Sequence, residues 1–345
     1  MKRLLSALVI AAVVFSISLA ANTGLAEKIL LINGAGATFP YPLYSKWFYE
    51  YAKVDPSVNF NYQSIGSGGG IRQITAQTVD FGASDGALTD AQLKAAPREL
   101  LHIPMTAGAV VVTYNIPGVS ESLRFAPEVV AGIFLGSIKR WDDPRIAEYN
   151  TGINLPGQNI IVAHRSDGSG TTNIFTDYLC SISSNWNSKV GKGTSVNWPV
   201  GLGAKGNEGV AGLVKQTPGA VGYVELAYAV KNNLPYGDIQ NKSGNFITPS
   251  IESTTTAVNG KVNSMPEDFR VSLVNPDGED AYPIAGFTWI LVYKDQVDSV
   301  KGKKVVEFLR WAVTDGQKYS ADLLYSPLPK SMVRKIEDKI NQISY

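Results

Sequence analysis

In the stretch His164-Arg165-Ser166-Asp167-Gly168-Ser169-Gly170-Thr171-Thr172, a guanidinium and hydroxyl-flanked glycines sit at the junction of two elements. The apolar run Ile160-Ile161-Val162-Ala163 before it reads as a buried strand, and Asn173 to Leu179 after it reads as a helix. Glycine lets the backbone approach a ligand closely. The first amides of a helix lack intrahelical partners and carry the positive end of its dipole, so a strand, a Gly/Ser turn and a helix together make an anion site. Arg165 adds a two-pronged donor suited to tetrahedral oxyanions. Taken alone, the same loop is equally well a polar strand-to-helix connection with Ser169 as an ordinary N-cap.

The pattern recurs upstream. Strand Lys28 to Ile32 leads into Asn33-Gly34-Ala35-Gly36-Ala37-Thr38-Phe39-Pro40, where Thr38 is expected to cap an aromatic-rich helix running through Tyr51. The alternating strand Val58 to Gln63 leads into Gly66-Ser67-Gly68-Gly69-Gly70, with a helix expected from Ile71 to Gln77. Three helix starts therefore each offer a hydroxyl and free amides. A fourth segment, Phe81-Gly82-Ala83-Ser84-Asp85-Gly86, places an acid in a turn just after a strand. A carboxylate beside an anion site repels the anion unless the anion brings a proton for it to accept. Phosphate near neutral pH carries such a proton and sulfate does not. The alternative for Asp85 is a turn aspartate bonded to its own backbone.

Gly34 to Pro40, Gly66 to Gly70, Asp80 to Asp85 and Arg165 to Thr171 together resemble the phosphate-binding proteins of high-affinity phosphate ABC transporters. So do Tyr325-Ser326-Pro327-Leu328-Pro329 and Gly219-Ala220-Val221-Gly222-Tyr223-Val224-Glu225, and the match runs in order from about Gly34 to Pro329. The resemblance implies phosphate contacts at Thr38, Phe39, Ser67, Asp85, Arg165, Ser169, Gly170 and Thr171. Phe39 would act through its backbone amide, and Asp167 would hold the Arg165 guanidinium. It also implies a two-lobed α/β binding protein of class II type, each lobe a central sheet flanked by helices, with two hinge crossovers. Those crossovers fall near Thr106 to Thr113 and Tyr282 to Phe287. The boundaries that follow are residues 27–108 with 287–345 for lobe I and 109–286 for lobe II. The chain departs from the pattern at His164, where some members carry arginine, and at Gly86-Ala87, where Ala-Pro is common.

Composition agrees with this class. The 345 residues are 44% hydrophobic and 18% charged, enough for two domains with real cores. A formal net charge of +1 gives no broad basic field for nucleic acid or an anionic membrane surface. Lys2 and Arg3 precede an apolar run from Leu4 to Ala21, with small residues at Ser18-Leu19-Ala20 and Gly24-Leu25-Ala26. This reads as a cleaved signal peptide over residues 1–26 and as a free protein in a periplasm, no cysteine lying in the cleavage region for lipid attachment. The sole cysteine, Cys180, reads as a small buried hydrophobe. Alternating strands and helices indicate α/β layers: strands over Leu101 to Tyr114, Ala220 to Val224 and Gly286 to Tyr293, and a helix from Lys303 to Tyr319. Ser195 to Gly209 and Ile239 to Phe269 read as surface loops.

Enzymatic readings find little support in the motifs. Gly168-Ser169-Gly170 is not a Gly-x-Ser-x-Gly elbow, and the two histidines, His102 and His164, are the only candidates for a triad base. Gly34-x-Gly36 lacks the third glycine of a dinucleotide fingerprint, Phe39 standing there. Spaced metal ligands are missing as well, so neither cofactor nor metal is expected. The expectation is a monomeric, non-catalytic protein that captures inorganic phosphate between two lobes and passes it to an inner-membrane ABC permease. The alternatives are a binder of another oxyanion, such as sulfate or an organic phosphate, and an extracytoplasmic phosphoesterase using the same pocket.

Overall fold

Fifteen consecutive buried residues, Leu100–Tyr114, form the strand from which the rest of the molecule is arranged. The run is apolar apart from a few positions, as expected of a strand covered on both faces. The structure is a computed structural model that describes residues 29–345, so the expected signal peptide lies outside the described residues. In chain order the strands are β1 (Leu30–Gly36), β2 (Val58–Ser64), β3 (Phe81–Ser84), β4 (Leu100–Tyr114) and β5 (Arg124–Phe125). They continue with β6 (Ile161–Arg165), β7 (Leu202–Ala204), β8 (Ala220–Glu225), β9 (Asp238–Gln240), β10 (Phe246–Ile247) and β11 (Ala285–Tyr293).

Eight of these strands form one sheet in the order β2-β1-β3-β11-β4-β8-β6-β7, and β10-β9-β5 form a small second one. At one end β1 pairs in parallel with both β2 and β3; at the other β6 pairs in parallel with both β7 and β8. Between the two triplets, β11 and β4 run antiparallel to their neighbours. The family resemblance implies a sheet in each lobe; here the two halves share β4. Its Leu100-to-Ala109 part pairs with β11, and its Val110-to-Tyr114 part pairs with β8. At roughly 3.3 Å per residue a strand of this length spans about 50 Å, enough to serve both halves.

The helices that matter here are α1 (Tyr41–Val54), α2 (Ser67–Thr75), α3 (Gly170–Ile182), α4 (Gly206–Gln216), α5 (Ile251–Val262) and α6 (Ser299–Val313). Aromatic clusters fix them to the sheet on both sides of β4. Phe48 of α1 stacks on Phe60 of β2 at 5.2 Å, and Phe60 meets Phe308 of α6 at 4.5 Å. In the other half, Phe175 of α3 stacks on Tyr223 of β8 at 4.4 Å, with Trp198 5.5 Å from Tyr223. Among the described residues no helix is long and apolar enough to cross a membrane.

Several sequence expectations are corrected. Helix α2 begins at Ser67 rather than Ile71, because Gly70 is a packing residue of the helix and not part of a loop. A Cβ there would lie 2.6 Å from Gly36 Cα and 2.7 Å from the carbonyl oxygens of Ala35 and Ala83. The expected loop from Ile239 to Phe269 contains α5, opened by a reciprocal Ser250–Ser253 capping box. Its Ser/Thr-rich sequence hides the helix, since Thr255 and Thr256 return their hydroxyl protons to the Ile251 and Glu252 carbonyls. The Ser195-to-Gly209 stretch likewise contains β7 and the start of α4. The helix expected over Lys303 to Tyr319 is α6, closing at Val313 into a 3-10 turn over Asp315–Tyr319. Cys180 is half-buried rather than buried.

The aromatic cluster yields a stability prediction. Phe308→Ala removes a ring that is 1% exposed and shared by Phe48, Tyr51 and Phe60. Urea unfolding is expected to register a loss of about 3–5 kcal/mol; a loss under about 1 kcal/mol would contradict the packing described.

Candidate oxyanion site

The sequence-predicted residues sit where parallel strands end. Thr38 and Phe39 follow the carboxyl end of β1, Ser67 that of β2, Asp85 that of β3, and Arg165 closes β6. Crevices beyond the carboxyl ends of parallel strands are where open α/β sheets bind ligands. The two triplets direct these ends toward one another. Gly68 N donates to Gly168 O at 2.9 Å, and a Cβ on Gly68 would lie 3.0 Å from Gly168 Cα. Gly66 holds φ +83°, and a Cβ there would lie 2.3 Å from Asp167 Oδ2. Only glycine permits both this conformation and this approach.

Ser67 Oγ is the junction on one side. It accepts from Asp85 N at 3.1 Å and from Gly170 N at 3.0 Å, and lies 3.4 Å from Asp85 Oδ2. Thr38 is the junction on the other. It does not cap α1, whose N-cap is Pro40 without a side-chain hydrogen bond. Its Oγ1 instead accepts from Asn207 Nδ2 at 2.7 Å and Asn207 N at 3.2 Å, an interaction across the crevice that displaces the local cap. Asn207 Nδ2 also donates to Thr171 Oγ1 at 3.0 Å. Ser169 turns its hydroxyl inward as the N-cap of α3, accepting from Thr172 N at 3.0 Å. Phe39 is fully buried, with its carbonyl accepting from Tyr325 Oη at 2.6 Å.

Arg165 and Asp167 form a fork. Nε donates to Oδ1 at 2.8 Å and Nη2 to Oδ2 at 2.6 Å, with the guanidinium side chain 1% exposed. Asp167 Oδ1 also accepts from Gly206 N at 3.1 Å. Burial opposes the Asp167 charge, yet these hydrogen bonds and the Arg165 charge hold its carboxyl below the usual range. The fork leaves Arg165 Nη1 buried with no partner.

Asp85 is 2% exposed, and its Oδ1 is also buried with no partner. Burial pushes its carboxyl up to about 7, against the pull of the neighbouring Thr288 hydroxyl, the Arg165 charge and the Ser67 hydroxyl. Buried polar groups are ordinarily hydrogen-bonded, so an orphaned cationic donor and an orphaned carboxyl oxygen in one crevice define a site for a group that both accepts and donates. The arrangement suits a small oxyanion bearing a proton.

Two residues of the site escaped sequence reasoning. Asn207 lies in a stretch read as a surface loop, and nothing in its local spacing marks it. Glu225 ends β8 fully buried, its Oε2 accepting from Ala227 N at 3.0 Å with Tyr325 Oη at 3.2 Å. Burial pushes its carboxyl well above the usual range. Tyr325 Oη reaches the Phe39 carbonyl at the shorter distance and Glu225 Oε2 at the longer.

The histidines are engaged elsewhere. His164 stacks on Trp198 at 5.0 Å with Nδ1 facing the Arg165 carbonyl, and His102 Nε2 accepts from Leu88 N. Neither stands beside the Ser169 hydroxyl as a base would. Among the described residues no group of three or more His, Cys, Asp or Glu side chains could hold a metal.

Known proteins place the chain in a family. The family model for the PBP superfamily domain matches residues 20–315. Phosphate-binding protein PstS of Xylella fastidiosa is 44% identical over 311 residues, covering 90% of this chain and 85% of that one. PstS of Pasteurella multocida is 45% identical, covering 89% and 88%. PstS of the archaeon Methanocaldococcus jannaschii is 41% identical, covering 84% and 80%. Among solved structures, a high-affinity periplasmic phosphate-binding protein bound with phosphate superposes with a TM-score of 0.70 at 19% identity, covering 92% of this chain and 99% of the other. A phosphate-binding protein from Stenotrophomonas maltophilia gives 0.66 at 20% identity, covering 89% and 93%. These distant structures share the fold.

The raised Asp85 carboxyl makes stability depend on pH in a definite direction. Between about pH 4 and 7 the folded, ligand-free protein holds a proton at Asp85 that the unfolded chain has released, so stability falls as pH rises through this window. The contribution is at most about 4 kcal/mol, at about 1.36 kcal/mol per unit. Asp85→Asn lacks it. Urea unfolding of anion-stripped wild type and variant at pH 4.5 and pH 8 is expected to show the variant gaining on the wild type at the higher pH; a constant difference would mean an unperturbed Asp85.

Proposed function

Because the chain belongs to the PBP superfamily, and within it to the PstS phosphate-binding proteins, we propose that it captures inorganic phosphate and delivers it to an ABC permease of the inner membrane. The observation that carries the proposal is the pair of orphaned buried atoms, Arg165 Nη1 and Asp85 Oδ1, one a donor and one able to accept. Phosphate near neutral pH offers lone pairs to the first and a proton to the second.

The remaining residues have separate tasks. Thr38, Ser67, Ser169 and Thr171 supply hydroxyl donors, while Phe39 and Gly170 supply backbone amides. Arg165 supplies the charge, directed by Asp167. In the closed arrangement Gly170 N is already engaged by Ser67 Oγ, so phosphate entry exchanges that bond for one to the anion. Asp85 accepts the phosphate proton when ionised and repels an anion without one. Burial of Glu225 disfavours a second negative charge behind Phe39.

The crevice closes between lobe I, residues 27–108 and 287–345, and lobe II, residues 109–286. Both crossovers then run inside strands, β4 and β11, whose bending opens and closes the site. The protein acts as a monomer in the periplasm after removal of residues 1–26. Catalysis is not part of this function: a phosphoesterase needs a nucleophile with a base or a metal, and both histidines are engaged elsewhere, His164 on Trp198 and His102 on Leu88 N.

Calorimetric titration of anion-stripped protein tests the reading. Phosphate should bind with sulfate failing to compete in large excess at pH 8, where Asp85 is ionised; strong sulfate binding there would sink the proposal. Below pH 7, protonation of Asp85 removes the repulsion, so sulfate should begin to compete, whereas Asp85→Asn should admit sulfate throughout. Arg165→Ala should weaken phosphate binding by about 2–5 kcal/mol, since the anion loses its cationic partner and Asp167 is left unpaired. Unchanged affinity in that variant would remove Arg165 from the site.

A further inference from the structure

Asn207 is fully buried and touches three of the elements that meet at the crevice. The orientation of its amide follows from the backbone. Glu225 N can only donate, and it lies 2.9 Å from Oδ1, so the opposite atom is the nitrogen. Both protons of that nitrogen are used, one on Thr38 Oγ1 at 2.7 Å and one on Thr171 Oγ1 at 3.0 Å. Thr38 Oγ1 accepts a second bond from Asn207 N at 3.2 Å. A hydroxyl has two lone pairs and one proton, so Thr38 has only its proton left to offer. Thr171 has one acceptor position filled in the same way. With Thr38 2% and Thr171 0% exposed, water does not compete for these groups.

From this geometry we infer that Asn207 is a positioning residue that fixes the Thr38 and Thr171 hydroxyls as proton donors toward phosphate while joining the two halves of the crevice. The inference rests on the phosphate-binding reading. An oxyanion can be held by a hydroxyl only through that hydroxyl's proton, so a partner that fills the lone pairs and leaves the proton free sets the polarity of the clamp before the ligand arrives. A neutral amide does this without adding charge. A carboxylate in its place would draw both protons onto itself and away from the anion.

Asn207→Asp makes that exchange with almost no change in shape, and protonating the new carboxyl returns one donor. The new carboxylate also repels the anion on charge alone, so a Thr38→Val background separates the hydroxyl's role from that repulsion. The charged and titratable groups around the position are Asp85, Arg165, Asp167, Glu208, Glu225 and Tyr228. They are common to wild type and variant, as is the protonation of phosphate itself, so the ratio of the two affinities at each pH isolates residue 207.

The experiment is calorimetric titration of the whole mature protein with inorganic phosphate at pH 8 and pH 5. Asn207→Asp should bind about 100-fold or more weakly than wild type at pH 8 and recover at least about tenfold of that ratio at pH 5, while Asn207→Ala should lose about tenfold at both. Asn207→Asp within twofold of wild type at pH 8, or a ratio that stays flat with pH, overturns the inference. Asn207→Ala in a Thr38→Val background is the deciding arm, and it stands even if Asn207→Asp does not fold by circular dichroism. In that background the Asn207→Ala loss should shrink to about threefold or less, and an undiminished tenfold loss overturns the proposal. Failure of the wild type to bind phosphate would instead fall on the functional reading, and on this inference with it.

Discussion

A guanidinium that is 1% exposed must be neutralised where it stands, and the Arg165–Asp167 fork is the interaction on which the crevice depends. Leaving such a charge unpaired in a dry site is strongly unfavourable, so the partner has to be in place before any ligand arrives. Asp167 meets this need with two oxygens on Nε and Nη2, and it is itself secured by the Gly206 amide at the start of α4. Fork geometry then leaves one guanidinium nitrogen, Nη1, buried without a partner. Much of the local backbone follows from fitting this pair into the space between two sheet ends: Gly66 is glycine because Asp167 Oδ2 occupies the position of its Cβ.

Around the fork, the hydroxyls are oriented by the backbone. Ser67 Oγ receives two amide protons, from Asp85 and Gly170, and Thr38 Oγ1 receives two from Asn207. In both cases the oxygen's acceptor capacity is filled by the protein. The Thr38 proton is what remains there, whereas the Ser67 proton faces Asp85 Oδ2 at 3.4 Å. The result is a lining made mostly of donors, with the Asp85 carboxyl as the exception.

Two acids close to an anion site are tolerable because burial disfavours their charged forms. For Glu225, fully enclosed behind Phe39 and Tyr325, burial pushes the carboxyl well above the usual range. For Asp85 the opposing pull of Thr288, Arg165 and Ser67 brings the carboxyl back to about 7, within reach of physiological pH. The difference lies in surroundings and not in residue type. Asp85 lies within the field of a guanidinium, whereas Glu225 has amide and phenol neighbours. The two carboxyls of one crevice are thus set apart by their surroundings.

By itself the sequence determined the local elements and pointed to the residues that gather at the crevice. The strand-turn-helix segments at Gly34 to Pro40, Gly66 to Gly70 and Arg165 to Thr171 announce their chemistry because glycine, hydroxyl and charge fall within a few positions of one another. Hydrophobic alternation and continuous apolar runs place β2, β4, β8 and β11 nearly to the residue. What only the tertiary structure decided lies across the crevice. Thr38 reads as a helix cap, because its neighbours in sequence are helical, but it is taken by Asn207, far along the chain. Asn207 and Glu225 carry no local signature, since a lone amide in a glycine-rich stretch and a lone acid at a strand end are ordinary. The Ser/Thr-rich α5 reads as loop because its hydroxyls satisfy their own helix. Periodicity is a property of neighbours along the chain, whereas the polarity of a hydroxyl and the proton affinity of a buried acid depend on which distant groups folding brings against them.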